Sequence, residues 1–200
     1  MIDYTTLTGK QQKRYDRIVH TAEDMMYQQS FYKISLSELT NALSVSRSTI
    51  YEYFDSKEGL IETVVNTISD RLNNSLTEIV GDDDMNIHDK FIQLAKAQSL
   101  NLNANCYRLL NDLKTHMPHI YAKFHKGRNE REQNGYRKLI EQGIKEGVFA
   151  SHYDKDFLVQ LYLKMGQLTG DTDILDQIRM NKLETMETII NVFLKGTKKQ

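Results

Sequence analysis

The chain has 200 residues, of which 40% are apolar and 26% charged, and it contains one Pro and one Cys. The 26 Lys and Arg residues against 27 Asp and Glu leave a formal charge of −1, which excludes strong bulk attraction to nucleic acid or an anionic membrane. A lone cysteine, Cys106, excludes an intramolecular disulfide framework and is typical of a reducing compartment. The N-terminus does not resemble a signal peptide, and no apolar run reaches the roughly 18 residues of a membrane span. We therefore expect a cytoplasmic protein without a membrane partner.

Apolar residues repeat at spacings of three and four along most of the chain, as in Ile61, Val64, Val65 and Ile68. This is the period of an α-helix, and strand-type alternation is lacking. The single Pro also favours long helices, because Pro breaks helix interiors. The pattern predicts an all-α fold of about nine helices, with one long helix from about residue 56 to residue 80.

The segment 35–57 has the signals of two short helices joined by a tight turn. Ser35 with Glu38 predicts a capping box at the start of the first helix, and Ser46 predicts the N-cap of the second. Ile50 and Phe54 lie four residues apart and are expected to face inward. The other positions of the second helix are expected to face outward: Arg47, Ser48, Thr49, Tyr51 and Tyr53. This arrangement indicates a helix-turn-helix at about 35–54.

The same residues resemble the DNA-binding domain of TetR-type transcriptional regulators. The matching stretches are Ser44-Val45-Ser46, Thr49-Ile50-Tyr51-Glu52-Tyr53-Phe54 and Ser56-Lys57-Glu58-Gly59-Leu60. Further on, Gly143 to Phe149 resembles a common turn of the family's C-terminal domain. Two departures are Ser44, where the family usually has Gly, and Thr40, where it usually has Ala. The resemblance implies a three-helix DNA-binding domain over 1–56 and a helical domain over 57–200 that dimerises and often binds a small-molecule effector.

Contacts with a double-stranded DNA operator are expected from the second short helix and its surroundings. Arg47 is the candidate base reader, because a guanidinium can bond one guanine through two hydrogen bonds. By resemblance, Tyr51 and Tyr53 contact phosphates or bases and Lys57 binds a phosphate; the alternative for Tyr51 is packing between helices. Residues 1–60 hold seven basic and eight acidic side chains, so attraction must come from local placement. The full candidate set is Ser35, Ser46, Arg47, Ser48, Thr49, Tyr51, Tyr53 and Lys57.

Two apolar stripes near the C-terminus predict a homodimer interface of two helices from each subunit. The alternative is that both stripes pack inside the monomer. The candidate interface residues are Leu158, Leu161, Tyr162, Met165, Leu183, Met186, Ile190 and Phe193.

An effector pocket is expected among aromatic and polar residues of the C-terminal helices, although an aromatic stripe at helical spacing more often forms core. The candidate ligand-binding residues are Phe91, Tyr107, His116, Tyr121, Tyr136 and Met165. His116 and His119 flank Pro118, and this spacing does not predict a metal site. We expect no cofactor.

The residues and the resemblance together predict a transcriptional regulator, specifically a repressor that an effector releases from a palindromic operator. The alternative is a DNA-binding regulator whose C-terminal domain binds a protein partner or no ligand. An enzyme is not expected, since the chain has no nucleophile–base pairing, no Gly-rich phosphate loop and no catalytic or metal residue set.

Overall fold

The computed structural model describes residues 2–101, 104–170 and 172–198, and this part of the chain folds into ten α-helices without a β-strand. The helices are α1 (Gly9–Gln28), α2 (Leu36–Leu43), α3 (Arg47–Phe54), α4 (Lys57–Gly81), α5 (Ile87–Asn101), α6 (Ala104–His116), α7 (Pro118–Lys145), α8 (Lys155–Gln167), α9 (Thr172–Ile178) and α10 (Lys182–Gly196). Short 3-10 turns precede α1 and follow α8. The all-α prediction is confirmed. The described part of the chain thus has one α-helix more than the nine expected, and the shortest of the ten is α9.

Several helices begin where side chains satisfy the free N–H groups of the first turn. Thr8 with Gln11 starts α1, and Asn181 with Glu184 starts α10, each as a capping box. The Asp154 carboxylate accepts from the Phe157 N–H and starts α8. Pro118 opens α7, because Pro is well suited to a first helical turn.

The chain divides into two compact units. The first unit comprises Met1–Arg71 and Leu102–Lys126, and the second comprises Leu72–Asn101 and Gly127–Gln200. Two helices, α4 and α7, contribute residues to both units. The predicted division into domains at residues 56 and 57 stays a prediction.

The apolar core of the first unit includes buried side chains of α1 to α4 and of α6. Those of α1 to α4 include Ile18, Ala22, Met26, Leu39, Leu43, Ile50, Phe54, Leu60, Ile61 and Val64. A buried carboxylate, Glu23 on α1, is paired with Arg71 on α4. Nη2 of Arg71 donates to both Glu23 oxygens at 2.8 Å. This pairing satisfies a charge that would otherwise be expensive to bury.

The second unit is organised around a cluster of five buried rings: Phe91, Tyr136, Phe149, Tyr162 and Phe193. The rings pack at aromatic distances, with centroids of Tyr136 and Tyr162 4.7 Å apart and those of Phe91 and Tyr162 4.8 Å apart. The hydroxyl of Tyr162 is buried and has no hydrogen-bond partner within the described residues. Burial raises the pKa of Tyr162 well above its usual value, and the neighbouring Tyr136 adds to this effect.

A turn after α7 closes this cluster over Phe149. The N–H groups of Val148 and Phe149 both donate to the Gly143 carbonyl, at 2.8 and 3.1 Å. A Cβ at Gly143 would lie 2.5 Å from the Phe149 ring, so only glycine lets the ring approach the helix. Gly147 has a φ of 73°, a left-handed backbone that favours glycine.

The predicted dimer interface is wrong for five of its eight residues. Leu158, Tyr162, Met186, Ile190 and Phe193 lie in the core of the second unit. These five residues form the inward faces of α8 and α10. Leu161, Met165 and Leu183 remain partly exposed.

No helix in the described ranges combines the length and the apolar character needed to cross a bilayer.

Candidate nucleic-acid interface

The first helix of the motif, α2, begins with the capping box predicted from the sequence. The Ser35 hydroxyl accepts from the Glu38 N–H at 3.1 Å, and the Glu38 carboxylate accepts from the Ser35 N–H at 2.6 Å. The hydrogen bond from the Ser35 backbone holds the pKa of the Glu38 carboxyl below its usual value. Both partners are exposed, so the start of α2 is ordered at the surface of the first unit.

The turn between α2 and α3 explains both departures from the family pattern. Ser44 has φ 52° and ψ 46°, the left-handed conformation for which the family uses Gly. A non-glycine residue pays about 1 kcal/mol there. Thr40 is buried, its carbonyl accepts from the Val45 N–H, and its hydroxyl donates to the Ser37 carbonyl at 3.1 Å. The replacement of Ala by Thr therefore adds a hydrogen bond within α2.

The N-terminus of α3 carries a small group of hydroxyls. Ser46 is the N-cap, as predicted, and its Oγ accepts from the Thr49 N–H at 3.2 Å. The same oxygen lies 2.7 Å from the Ser48 hydroxyl and 2.9 Å from the Thr49 hydroxyl. These groups lie at the positive end of the helix dipole, a favourable place for a phosphate.

The outward face of α3 carries most of the residues predicted to contact DNA. Tyr51 is 50% exposed, so the alternative that it packs between helices is wrong. Arg47 and Ser48 are also exposed, whereas Ile50 and Phe54 are buried as predicted.

Tyr53 corrects the prediction that it stands on an outward face. Its side chain is 2% exposed and packs edge-on against Tyr15 of α1, with ring centroids 6.1 Å apart. The ring is thus buried against α1, and the segment before α1 contacts the backbone at the end of α3. The Ile2 N–H donates to the Tyr53 carbonyl at 3.3 Å. The spacing of residues within α3 does not predict this packing, because the partner residues are distant in sequence.

Two basic side chains of the first unit, Lys57 and Arg17, have partners inside the protein. The Lys57 ammonium donates to the Phe31 carbonyl at 3.0 Å, and burial lowers the pKa of Lys57 despite the opposing charge of Glu38. Nη2 of Arg17 donates to the Leu43 carbonyl at 3.3 Å. An ammonium has three donors and a guanidinium five, so both side chains keep N–H groups for a phosphate.

Sequence reasoning missed one contact between α2 and α3. Nη2 of Arg47 donates to the Ser37 hydroxyl at 2.5 Å. Ser37 was not among the predicted DNA contacts. The sequence indicated that Ser37 lies in the first turn of α2, but this position alone does not predict a contact with Arg47.

The predicted ligand-binding residues fall into the two units. Phe91, Tyr136 and the partly buried Met165 belong to the aromatic core of the second unit. Tyr121 belongs to the first unit, as does His116, whose ring stacks on Tyr32 with centroids 4.2 Å apart. The Tyr107 side chain lies outside the described part of the structure.

The two histidines near Pro118 have separate partners. His116 stacks on Tyr32, while Nε2 of His119 lies 2.9 Å from the Glu58 carboxylate. Within the described ranges, no three His, Cys, Asp or Glu side chains gather as a metal site requires.

The geometry defines a helix-turn-helix protein, and comparison with known proteins agrees. The family described as "Bacterial regulatory proteins, tetR family" matches residues 18–64, which include α2 and α3. An HTH-type transcriptional regulator of Mycobacterium tuberculosis is 34% identical over 67 residues, 34% of this chain and 33% of the relative. The chain thus matches about a third of the length of this relative. YvaF of Bacillus subtilis, also an HTH-type transcriptional regulator, is 21% identical over 86% of this chain and 89% of its own.

Solved structures share the fold over nearly the whole chain. Reduced NemR of Escherichia coli superposes with a TM-score of 0.70 at 18% identity, covering 94% of this chain and 98% of its own. The TetR-family regulator PfmR of Thermus thermophilus has a TM-score of 0.62 at 18% identity, covering 92% and 100%. The likeness to the TetR family of bacterial regulatory proteins thus covers residues 18–64 in sequence, and the solved structures extend it to the fold of nearly the whole chain.

Proposed function

We propose that the protein is a sequence-specific DNA-binding transcriptional regulator. The observation that carries the proposal is the motif itself. The capped helix α2 and the left-handed Ser44 turn present α3 with one buried face and one exposed polar face. An exposed second helix of this kind is the element that enters the major groove of DNA. The family match over residues 18–64 supports the same function.

Within this proposal the side chains fall into two groups, those that contact base edges and those that contact phosphates. Arg47 reads a guanine edge, while Ser48 and Thr49 contact bases or phosphates near the start of α3. Tyr51 and Lys57 contact phosphates, together with the hydroxyls of the two N-caps, Ser35 and Ser46. Tyr53 is left out of this set because its side chain is buried.

The regulator acts as a homodimer on a near-palindromic operator. A two-fold dimer presents two copies of α3, so its half-sites are spaced by about one helical turn of DNA or a multiple of it. The interface lies on the outward apolar faces of α8 and α10 rather than on the buried stripes. Phe157 and Val192 are its exposed candidates, together with Leu168 in the turn after α8. The remaining candidates are partly exposed: Leu161, Met165 and Leu183.

The proposed mode of action is repression relieved by a small-molecule effector. Such an effector favours a conformation in which the two recognition helices no longer match adjacent major grooves. Phe91, Tyr136 and Met165 remain the ligand-binding candidates of the second unit, and His116 and Tyr121 those of the first.

Selection from a randomised duplex library tests DNA binding. We expect the wild-type protein to enrich a near-palindrome. Arg47→Ala then relaxes the preference at one base position of each half-site, at a cost of about 1–3 kcal/mol on the best sequence. Lys57→Ala weakens all sequences alike and lowers the salt dependence by about one phosphate contact. If the wild type enriches no motif, the proposed function is wrong.

A separate experiment tests repression. Transcripts of the genes next to the enriched operator should rise when the regulator gene is deleted. A thermal-shift screen with a library of small organic molecules, followed by operator-release assays on the hits, tests the effector. If no compound that stabilises the protein also releases it from its operator, effector-controlled release by these compounds is contradicted.

A further inference from the structure

Arg47 and Ser37 form a direct bridge between the two helices of the motif. Arg47 is the first residue of α3, and Ser37 lies in the first turn of α2. Nη2 of Arg47 donates to the Ser37 hydroxyl at 2.5 Å. The Arg47 side chain is exposed and that of Ser37 is partly exposed, so this bridge lies on the surface of the motif and not in its core.

The serine end of the bridge is itself held in place. Ser37 lies within the Ser35–Glu38 capping box, and its carbonyl accepts from the Thr40 hydroxyl at 3.1 Å. The first turn of α2 is therefore ordered by side-chain hydrogen bonds on both sides of Ser37. A serine has one hydroxyl torsion and a short side chain, so its oxygen is a well-defined anchor for a neighbouring donor.

A free arginine side chain samples many rotamers, and ordering it costs free energy at the moment of binding. One bond to Ser37 engages Nη2 and leaves four of the five guanidinium N–H groups for other acceptors. An arginine whose guanidinium is already oriented reads one particular base, while an unrestrained one can reach several. The bridge thus supplies preorganisation at the position where base information is read.

We propose that Ser37 is a positioning residue that orients Arg47 toward a single guanine in each operator half-site. The inference rests on the proposed DNA-binding function. It assigns to α2 a part in sequence specificity that acts through α3. The role differs from a phosphate contact, which would stabilise complexes with all sequences equally.

The test compares binding profiles of purified full-length variants on a randomised duplex library. The variants are Ser37→Ala, which removes the hydroxyl, Ser37→Thr, which keeps it, Arg47→Ala, and the double variant Ser37→Ala with Arg47→Ala. Asn41→Ala is the matched control, because Asn41 is exposed on the same helix and outside the proposed DNA contacts. Circular dichroism melting establishes that each variant is folded.

We expect Ser37→Ala to lower the preference for guanine about threefold at the position that Arg47 reads, and nowhere else. Ser37→Thr and Asn41→Ala should retain the wild-type profile. Arg47→Ala should lower the same preference about tenfold, and the double variant should match Arg47→Ala, because Ser37 has no other route to the base.

Three outcomes overturn the proposal. An unchanged Ser37→Ala profile means that the bridge has no part in recognition. A uniform loss over all sequences means that Ser37 contacts a phosphate or supports the fold. A sharper guanine preference means that Ser37 holds Arg47 away from the DNA. A wild-type protein that enriches no motif contradicts the proposed function itself, and this result is distinguishable from all three.

Discussion

The α2–α3 motif and the aromatic cluster of the second unit are ordered by opposite means. In the motif, the helix starts and the turn depend on residues a few positions apart in sequence. Ser35 with Glu38 starts α2, Ser44 turns the chain, and Ser46 starts α3. In the cluster, five rings come from α5, α7, α8, α10 and the turn after α7.

The difference shows where each region is sensitive to change. A motif built from local hydrogen bonds loses about 1 kcal/mol with each bond removed, and its surface stays free to vary. A cluster of close-packed rings fails when a charge enters it, because burial leaves that charge without water or a partner. We therefore expect the motif to stay folded after the loss of a single polar side chain, whereas the cluster does not tolerate a buried charge.

The largest effect is expected from a charge in the cluster of the second unit. Ile190 is 0% exposed, whereas Val192 on the same helix is 58% exposed. Ile190→Asp should cost at least about 4 kcal/mol and lead to an unfolded or aggregated chain. Val192→Asp should keep the fold and weaken dimerisation.

Thermal melting and analytical ultracentrifugation at micromolar concentration separate the two variants. An Ile190→Asp protein that melts like the wild type would contradict the burial of this stripe. A Val192→Asp protein that dimerises with unchanged affinity would argue against the outward face of α10 as the interface.

A smaller loss is expected in the motif from Ser35→Ala. The variant removes the acceptor for the Glu38 N–H at the start of α2 and should lower the free energy of unfolding by about 1 kcal/mol. Ser35→Asn is the control, since Asn is also a good N-cap and should restore most of the loss. Chemical denaturation of the three proteins gives the comparison. A Ser35→Ala protein as stable as the wild type would show that the cap has no net effect.

A gain is expected at the turn from Ser44→Gly. Glycine adopts the left-handed conformation of this residue without a steric penalty, so the variant should be more stable by about 0.5–1 kcal/mol. Ser44→Ala keeps the Cβ and should leave stability nearly unchanged. A destabilising glycine, measured in the same denaturation series, would mean that the turn carries no strain.

The smallest effect at neutral pH is expected from Tyr162→Phe, which removes a buried hydroxyl without a hydrogen-bond partner in the described structure. Stability at pH 7 should be unchanged or slightly higher. Because the pKa of Tyr162 is raised in the folded state, the unfolded chain loses this proton first as the pH rises past its usual value of 10.0. Wild-type stability therefore falls above about pH 10, and the variant should fall less steeply. Equal slopes in melting experiments at pH 10 to 11 would contradict this.

Much of the fold and of the interface could be predicted because the relevant signals are local. The three- and four-residue spacing of apolar side chains determines helices, and the Ser35, Ser46 and Pro118 signals determine where three of them begin. The left-handed turn at Ser44 is implied by the family pattern, in which Gly occupies that place. Each of these features depends on hydrogen bonds and backbone torsions within one turn of helix.

Only the tertiary structure decided which side chains of these helices are exposed to solvent and which are buried. Tyr53 faces inward because its ring packs against Tyr15 of α1. Ile190 faces inward because it belongs to the buried cluster that the aromatic rings of the second unit form. The same is true of the bridge from Arg47 to Ser37, ten residues away on another helix. An amphipathic pattern states that one face of a helix is buried. Whether a core or a partner covers that face depends on distant residues, because burial is a property of everything that packs around a side chain.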